Sequence, residues 1–173
     1  MKVHISVDRA REEPELKQIF KEHPDMFEEE ENDDFEHHIL ETFILFEMQK
    51  GTISFWHPYF EVFPKITNFW NWEIEDIRQT DDPFITYELD KIRRYVGTTW
   101  SDMLQVFRLH PDVFKPGFIT EELFRHVEMS VCSRVFGYSI PCTAMIPMAD
   151  MLNHSDIDVQ YEVFNKELHL TDT

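Results

Sequence analysis

Apolar side chains recur every three or four residues through most of the chain, the spacing that gathers them on one face of an α-helix. The clearest case is residues 35–50, where Phe35, Ile39, Phe43 and Phe46 share a face. Comparable stripes predict further helices over residues 9–23, 72–80, 83–110 and 120–135. The middle of the chain is therefore predicted to be helical.

Local signals set several ends of these helices. Asp82 followed by Pro83 is typical of a helix start, because the carboxylate caps the first amides and proline suits the first turn. Thr120 is a second cap, ahead of acidic residues in the first turn. Pro24 and Gly51 are expected to end the helices that precede them.

Short β elements are predicted near both ends of the sequence. Residues 3–7 alternate between apolar and polar, a short apolar run begins at Met145, and residues 159–170 have the pattern of a hairpin. We expect the first strand to lack a partner because it begins almost at Met1, and the isolated chain to be poorly stable for that reason. The predicted fold class is α+β, with a mainly helical middle between short β elements.

Length and composition indicate one globular domain with a packed core. The 173 residues are 42% hydrophobic and 14% aromatic, far more than a disordered chain carries. The formal net charge of −18 argues against unaided binding to nucleic acid, whose phosphates need clustered Lys and Arg, and it permits a basic protein partner. The acidic run over residues 28–34 is either a solvated loop or a docking site for basic residues.

The compartment follows from what the sequence lacks. It contains neither a secretory signal nor about 20 consecutive apolar residues, so we expect an intracellular protein, in cytoplasm or nucleus, without a membrane partner. Cys132 and Cys142 should then be reduced. Both lie among apolar residues, and we expect them to be buried and inert rather than nucleophiles.

The densest group of candidate functional residues lies in the stretch 145–155. Asp150, Asn153 and His154 follow the apolar run closely and fall within five positions of one another. In one helical turn, Asp150 would share a face with Asn153 or His154. Such a group either caps a turn or holds a ligand beside an apolar lining.

Two other kinds of site are less well supported by the sequence. A metal centre could use four residues with oxygen or nitrogen ligand atoms that lie close together in the sequence. Their arrangement lacks the glycine and the alternating spacing of a calcium loop. Those residues are His154, Asp156, Asp158 and Glu162. The aromatic cluster over residues 54–63 could stack on bases, but it has no basic residues among the rings, so packing in the core is the better interpretation.

Three segments resemble the SET-domain protein methyltransferases, and among these the group similar to the Rubisco large-subunit methyltransferase. They are residues 133–136 (Ser-Arg-Val-Phe), 146–155 (Ile-Pro-Met-Ala-Asp-Met-Leu-Asn-His-Ser) and 55–60 (Phe-Trp-His-Pro-Tyr-Phe) with the later Phe63 and Pro64. The resemblance implies a small β-rich core that is interrupted by a long helical insert and binds S-adenosylmethionine. It would divide the chain into residues 1–34, the insert 35–140 and residues 141–173.

The resemblance also implies roles for four residues. Arg134 and Asp150 would hold the methionine end of S-adenosylmethionine, and Asn153 and His154 would contact its amino group and adenine. The substrate would be a protein with a lysine in a basic segment; a histidine target is the alternative that the family includes. No catalytic residue is assigned, because the family's Gly-x-Gly turn and tyrosine motif would lie before Met1 and after Thr173, and Tyr161 follows the Asn-His pair too closely.

The sequence is therefore compatible with two functions. The first is a protein-lysine methyltransferase dependent on S-adenosylmethionine, in a truncated form that is either active or inactive. The second is a non-catalytic acidic helical interaction module that retains the scaffold.

Overall fold

The computed structural model of the chain describes residues 4–65, 72, 74–137, 140–152, 159–164 and 167–172, with the backbone alone at Ile74 and in the last two ranges. Helices predominate and a small antiparallel sheet accompanies them, so the predicted α+β class is confirmed. The helices are α1 (Val7–Glu12), α2 (Pro14–Glu22), α3 (Pro24–Phe27), α4 (Phe35–Met48), α5 (His57–Phe60), α6 (Ile74–Arg78), α7 (Pro83–Leu109) and α8 (Glu121–Arg134). None of the described helices has the length and apolar character needed to cross a lipid bilayer.

The chain divides into two compact units. One comprises residues 1–44 and 131–173, and the other comprises residues 45–130. The divisions fall inside α4 and inside α8, so each of these helices contributes residues to both units.

The first unit contains a sheet of three very short strands, β1 (Ile5–Ser6), β2 (Val135–Phe136) and β3 (Ala144–Met145). The strand order is β1-β3-β2, and both pairings are antiparallel. Met145 lies opposite Ile5 on one side and Val135 on the other. Ile5 and Met145 are fully buried, so the middle strand anchors the sheet in the core of its unit.

The expectation that the first strand lacks a partner is wrong. β1 pairs with β3, a strand about 140 residues later in the sequence, and the amide of Val7 extends the pairing by donating to the carbonyl of Thr143 at 3.1 Å. Local patterning could not have found this partner, because the apolar run at Met145 is too short to predict which strand it joins.

The N-terminal helix is also divided differently from the prediction. Helix α1 begins at Val7, inside the predicted strand, with the Ser6 hydroxyl accepting from the amide of Arg9. Glu13 is extended (φ −67°, ψ 117°) because the ring of Pro14 disfavours helical geometry in the residue before it. Pro14 then starts α2, and Pro24 starts α3 rather than a loop, since proline suits the first helical turn.

Helix α4 spans nearly the residues that were predicted for it. It is buried on more of its surface than a helix with a single apolar stripe would be. Residues 38–47 are all buried, including His38, Glu41 and Glu47. Gly51 follows the helix with φ 59°, a conformation that glycine adopts without strain. A helix that is buried on every side belongs to the core.

The second unit is organised around helix α7. Asp82 caps its start as predicted, with Oδ1 accepting from the amides of Phe84 and Ile85 at 2.9 and 3.3 Å. Trp56, Tyr59, Phe60 and Phe63 of the predicted aromatic cluster are buried, and the rings of Tyr59 and Phe63 lie 5.0 Å apart, edge to face. Packing in the core therefore accounts for these four rings, whereas Phe55 is exposed.

Helix α8 ends one residue earlier than predicted, and the predicted C-terminal hairpin is present. Thr120 caps α8 as predicted, but Val135 lies in β2 and not in the helix. The predicted hairpin is confirmed as β4 (Val159–Phe164) and β5 (Glu167–Asp172), which pair with each other. The acidic run over residues 28–34 is a loop with mostly exposed side chains, which is compatible with both a solvated loop and a docking site for basic residues.

One side chain fixes the approach to the middle strand. The carboxylate of Glu36, in the first turn of α4, accepts from both the amide (3.1 Å) and the hydroxyl of Thr143, the residue before β3. We expect Glu36→Ala to destabilise the first unit by about 1–3 kcal/mol, because two donors in a part-buried site lose their acceptor. Amide hydrogen exchange at Thr143 and Met145 should accelerate in Glu36→Ala and stay unchanged in Glu30→Ala, an exposed loop control. Equal exchange in the two variants would contradict this account.

Candidate functional site

The candidate site is built on an ion pair between Arg134 and Asp150. Arg134 is the last residue of α8, and β2 follows it directly. Asp150 lies in a 3-10 turn (Ala149–Met151) shortly after β3. Because β2 and β3 are hydrogen-bonded neighbours, the two side chains meet: Arg134 Nη1 lies 2.9 Å from Asp150 Oδ2 and also reaches the Asp150 carbonyl at 3.5 Å.

The side chains of Asp150 and Arg134 differ in how deeply they are buried. The Asp150 side chain is fully buried, whereas the Arg134 side chain keeps 13% of its surface exposed. A buried carboxylate is costly unless a cation and hydrogen bonds compensate it, and Arg134 provides that compensation. Asp150 therefore orients Arg134, and Arg134 is the member of the pair whose side chain keeps some exposure to solvent.

Apolar side chains lie beside this pair in the sequence and are exposed. Met148 has φ 77°, in the left-handed region, and is 74% exposed. Met151 and Leu152, on the other side of Asp150, are also exposed. A cation held in place beside flexible apolar side chains offers the two kinds of contact that a ligand with a polar end and an apolar body requires.

The structure brings together two of the four residues proposed to contact the cofactor. Arg134 and Asp150 contact each other, so the direct ion pair and a ligand role for Arg134 remain compatible. Asn153 and His154 lie outside the described residues, as do Asp156 and Asp158 of the disfavoured metal set, and Glu162 is described by its backbone alone.

The two cysteines are not alike. Burial raises the pKa of the Cys142 thiol, which disfavours its thiolate form. Cys132 is exposed and Cys142 is half-buried, so the expectation that both cysteines are buried is wrong for Cys132 and only partly met for Cys142. It lies beside the buried Val131 on α8, and the apolar neighbourhood in the sequence did not reveal which side of the helix it occupies.

Glu128 is a titratable residue that sequence reasoning missed. It is only 5% exposed, its Oε2 has no hydrogen-bond partner within the described part of the chain, and burial raises its pKa to about 7 despite the opposing charge of Arg125. A signal was present: Glu128 is four residues after Phe124 and three before Val131, both fully buried, so it shares the buried side of α8.

We expect the Arg134–Asp150 pair to show strong coupling in stability. Arg134→Met should cost about 3–5 kcal/mol because it leaves a buried carboxylate uncompensated, and adding Asp150→Leu should recover part of the loss. Urea unfolding of the single and double variants measures the coupling. The matched control is Arg78→Met, which removes the more exposed pair with Glu75 and should cost less than about 1 kcal/mol. A loss in Arg134→Met no larger than in the control would contradict the assigned role.

We also expect the chain to lose stability as pH rises, because of Glu128. Its pKa is raised in the folded chain, so the unfolded state releases the proton first, and stability falls between about pH 4.5 and pH 7, by about 3 kcal/mol when complete. Urea unfolding should therefore show that Glu128→Gln is more stable than the natural chain at about pH 8 and depends less on pH. Glu122→Gln, at an exposed position of the same helix, should behave like the natural chain. The same loss in Glu128→Gln as in the natural chain would exclude this explanation.

Comparison with known proteins does not add a family assignment. No protein-family model matches the chain, and no curated protein matches it either. The motifs in the sequence and the geometry of the described residues are therefore the observations that bear on function.

Proposed function

We propose that the chain is the cofactor-binding part of a SET-type protein methyltransferase that uses S-adenosylmethionine and acts on lysine. The observation that carries the proposal is the contact between Arg134 and Asp150 at 2.9 Å. The two residues come from separate segments of the resemblance, 133–136 and 146–155, and a shared site requires those segments to meet. In this proposal the short sheet belongs to the core of the family, and residues 45–130 lie within its helical insert.

The burial of the ion pair refines the roles that the resemblance implies. Arg134 binds the carboxylate of the methionine end, because a guanidinium matches a carboxylate in both charge and shape. Asp150 holds Arg134 in position and does not contact the cofactor itself, since its side chain is fully buried. Asn153 and His154 are proposed to bind the amino group and the adenine.

The residues present fit the polar end of the cofactor. Arg134 offers the cation, and the exposed Met148, Met151 and Leu152 offer apolar surface close to it in the sequence. When bound, S-adenosylmethionine supplies an electrophilic methyl group. The described residues of this chain bind and orient that molecule, and none of them is proposed to move the proton of the substrate amine.

Substrate choice is proposed from charge. The loop over residues 28–34 carries six acidic residues that are mostly exposed, and it can attract a basic segment of a protein substrate. The same loop favours the second candidate, an acidic interaction module without catalysis, because it would serve that function without a cofactor. The two candidates differ in whether the chain binds S-adenosylmethionine.

Titration calorimetry with S-adenosylmethionine tests the proposal. We expect the chain to bind it, and Arg134→Ala to weaken binding by about 1.5–3 kcal/mol, because a charged hydrogen bond to the carboxylate is lost. Arg78→Ala, at an exposed arginine of α6, is the control and should bind normally. Circular dichroism must show that each variant is folded.

Two results would count against the proposal. Unchanged affinity in folded Arg134→Ala would remove the role of this residue. Absence of binding by the natural chain would favour the interaction module.

A further inference from the structure

We propose that the second unit carries a docking groove for an acidic peptide with one large apolar side chain. The groove lies between the C-terminal half of α7 and the loop that follows it, and it encloses about 380 Å³. Its apolar surface is formed chiefly by Trp100, Leu104, Phe107 and Phe114, and its charged residues are Arg108 and Lys115. This site is separate from Arg134 and does not rest on the proposed methyltransferase function.

Packed aromatic rings lie beneath the groove. Phe107 and Phe114 are 5% and 2% exposed, and their ring centroids lie 4.8 Å apart. Trp100 is held against Phe124, with ring centroids 5.3 Å apart. A cavity of this size lies at the lower end of the range for ligand sites, so it suits one large side chain with adjoining backbone and is small for a complete cofactor.

The wall of the groove is fixed before anything binds. Gln49 is buried and bridges two points of the loop: its Nε2 donates to the carbonyl of Val113 at 2.7 Å, and its Oε1 accepts from the amide of Lys115 at 3.0 Å. Lys115 Nζ donates in turn to the carbonyl of Gln49 at 2.8 Å. A wall held in this way loses little conformational freedom on binding, which favours affinity.

The charge of the groove is opposite to that of the chain. The sequence has 34 acidic and 16 basic residues, yet the described residues that line the groove include Arg108 and Lys115 and no carboxylate. Arg108 also lies in the last turn of α7, where a cation stabilises the helix end, and that role needs no groove. What points to a ligand is that both cations line one apolar cavity.

These features select the occupant. Its apolar side chain fills the space beside the half-buried Trp100 and Leu104, and Asp or Glu residues next to it meet Arg108 and Lys115. A basic peptide would be repelled by the two cations, and nucleic acid would need more clustered Lys and Arg than the two that line the groove. The partner is therefore an acidic segment of another protein. It differs from the basic substrate segment that is proposed to bind the loop over residues 28–34.

Fluorescence anisotropy with a labelled peptide tests the groove. The probe is the peptide Asp-Asp-Phe-Glu-Glu, blocked at both ends, and the comparison peptides replace Phe with Gly or all acids with Lys. We expect saturable binding of the first peptide alone. We expect Arg108→Glu to weaken it at least about tenfold, because attraction at the rim becomes repulsion.

The matched control is Arg94→Glu, an exposed arginine on the same helix outside the groove, which should leave affinity within about twofold. Arg108 is exposed, so neither substitution is expected to unfold the chain, and circular dichroism verifies this. The proposal is overturned by no saturable binding to the natural chain, by equal binding of the Gly peptide, or by equal weakening in Arg94→Glu, because the last two results indicate general charge attraction only.

Discussion

The contact between Arg134 and Asp150 is the interaction on which the candidate site depends. It joins the end of α8 to the turn after β3, and it can form because β2 and β3 are neighbours in the sheet. The Asp150 side chain is fully buried, so its carboxylate depends on the cation for compensation. The ion pair between Arg134 and Asp150 thus helps to fix the position of the exposed residues beside Asp150, in addition to apolar packing.

The strands that support this pair are too short to be stable alone, and their neighbours compensate. Each described strand of the three-stranded sheet has two residues. The middle strand is held at both edges by pairing, and the residue before it is held by Glu36 from the start of α4. The α4 helix, buried on every side over residues 38–47, therefore serves both as core and as the source of a polar contact that sets the sheet.

Much of the helical structure could be predicted from the sequence, because helices depend on local spacing and caps. Asp82, Thr120 and Gly51 each act where the pattern placed them. The pairing of β1 with β3 could not be predicted, since it joins residues far apart in the sequence through two-residue strands. The resemblance implied that Arg134 and Asp150 belong to one site, but the full burial of the Asp150 side chain, which assigns it the orienting role, required the structure.

The most direct test of the account is where S-adenosylmethionine contacts the chain. Methionine methyl groups labelled with carbon-13 report this by NMR, because Met148 and Met151 flank Asp150 and are exposed, whereas Met103 is fully buried in the other unit. The account predicts that added S-adenosylmethionine shifts the signals of Met148 and Met151 and leaves that of Met103 unchanged. Shifts that spare both exposed methionines, or no shifts at saturating cofactor, would contradict it.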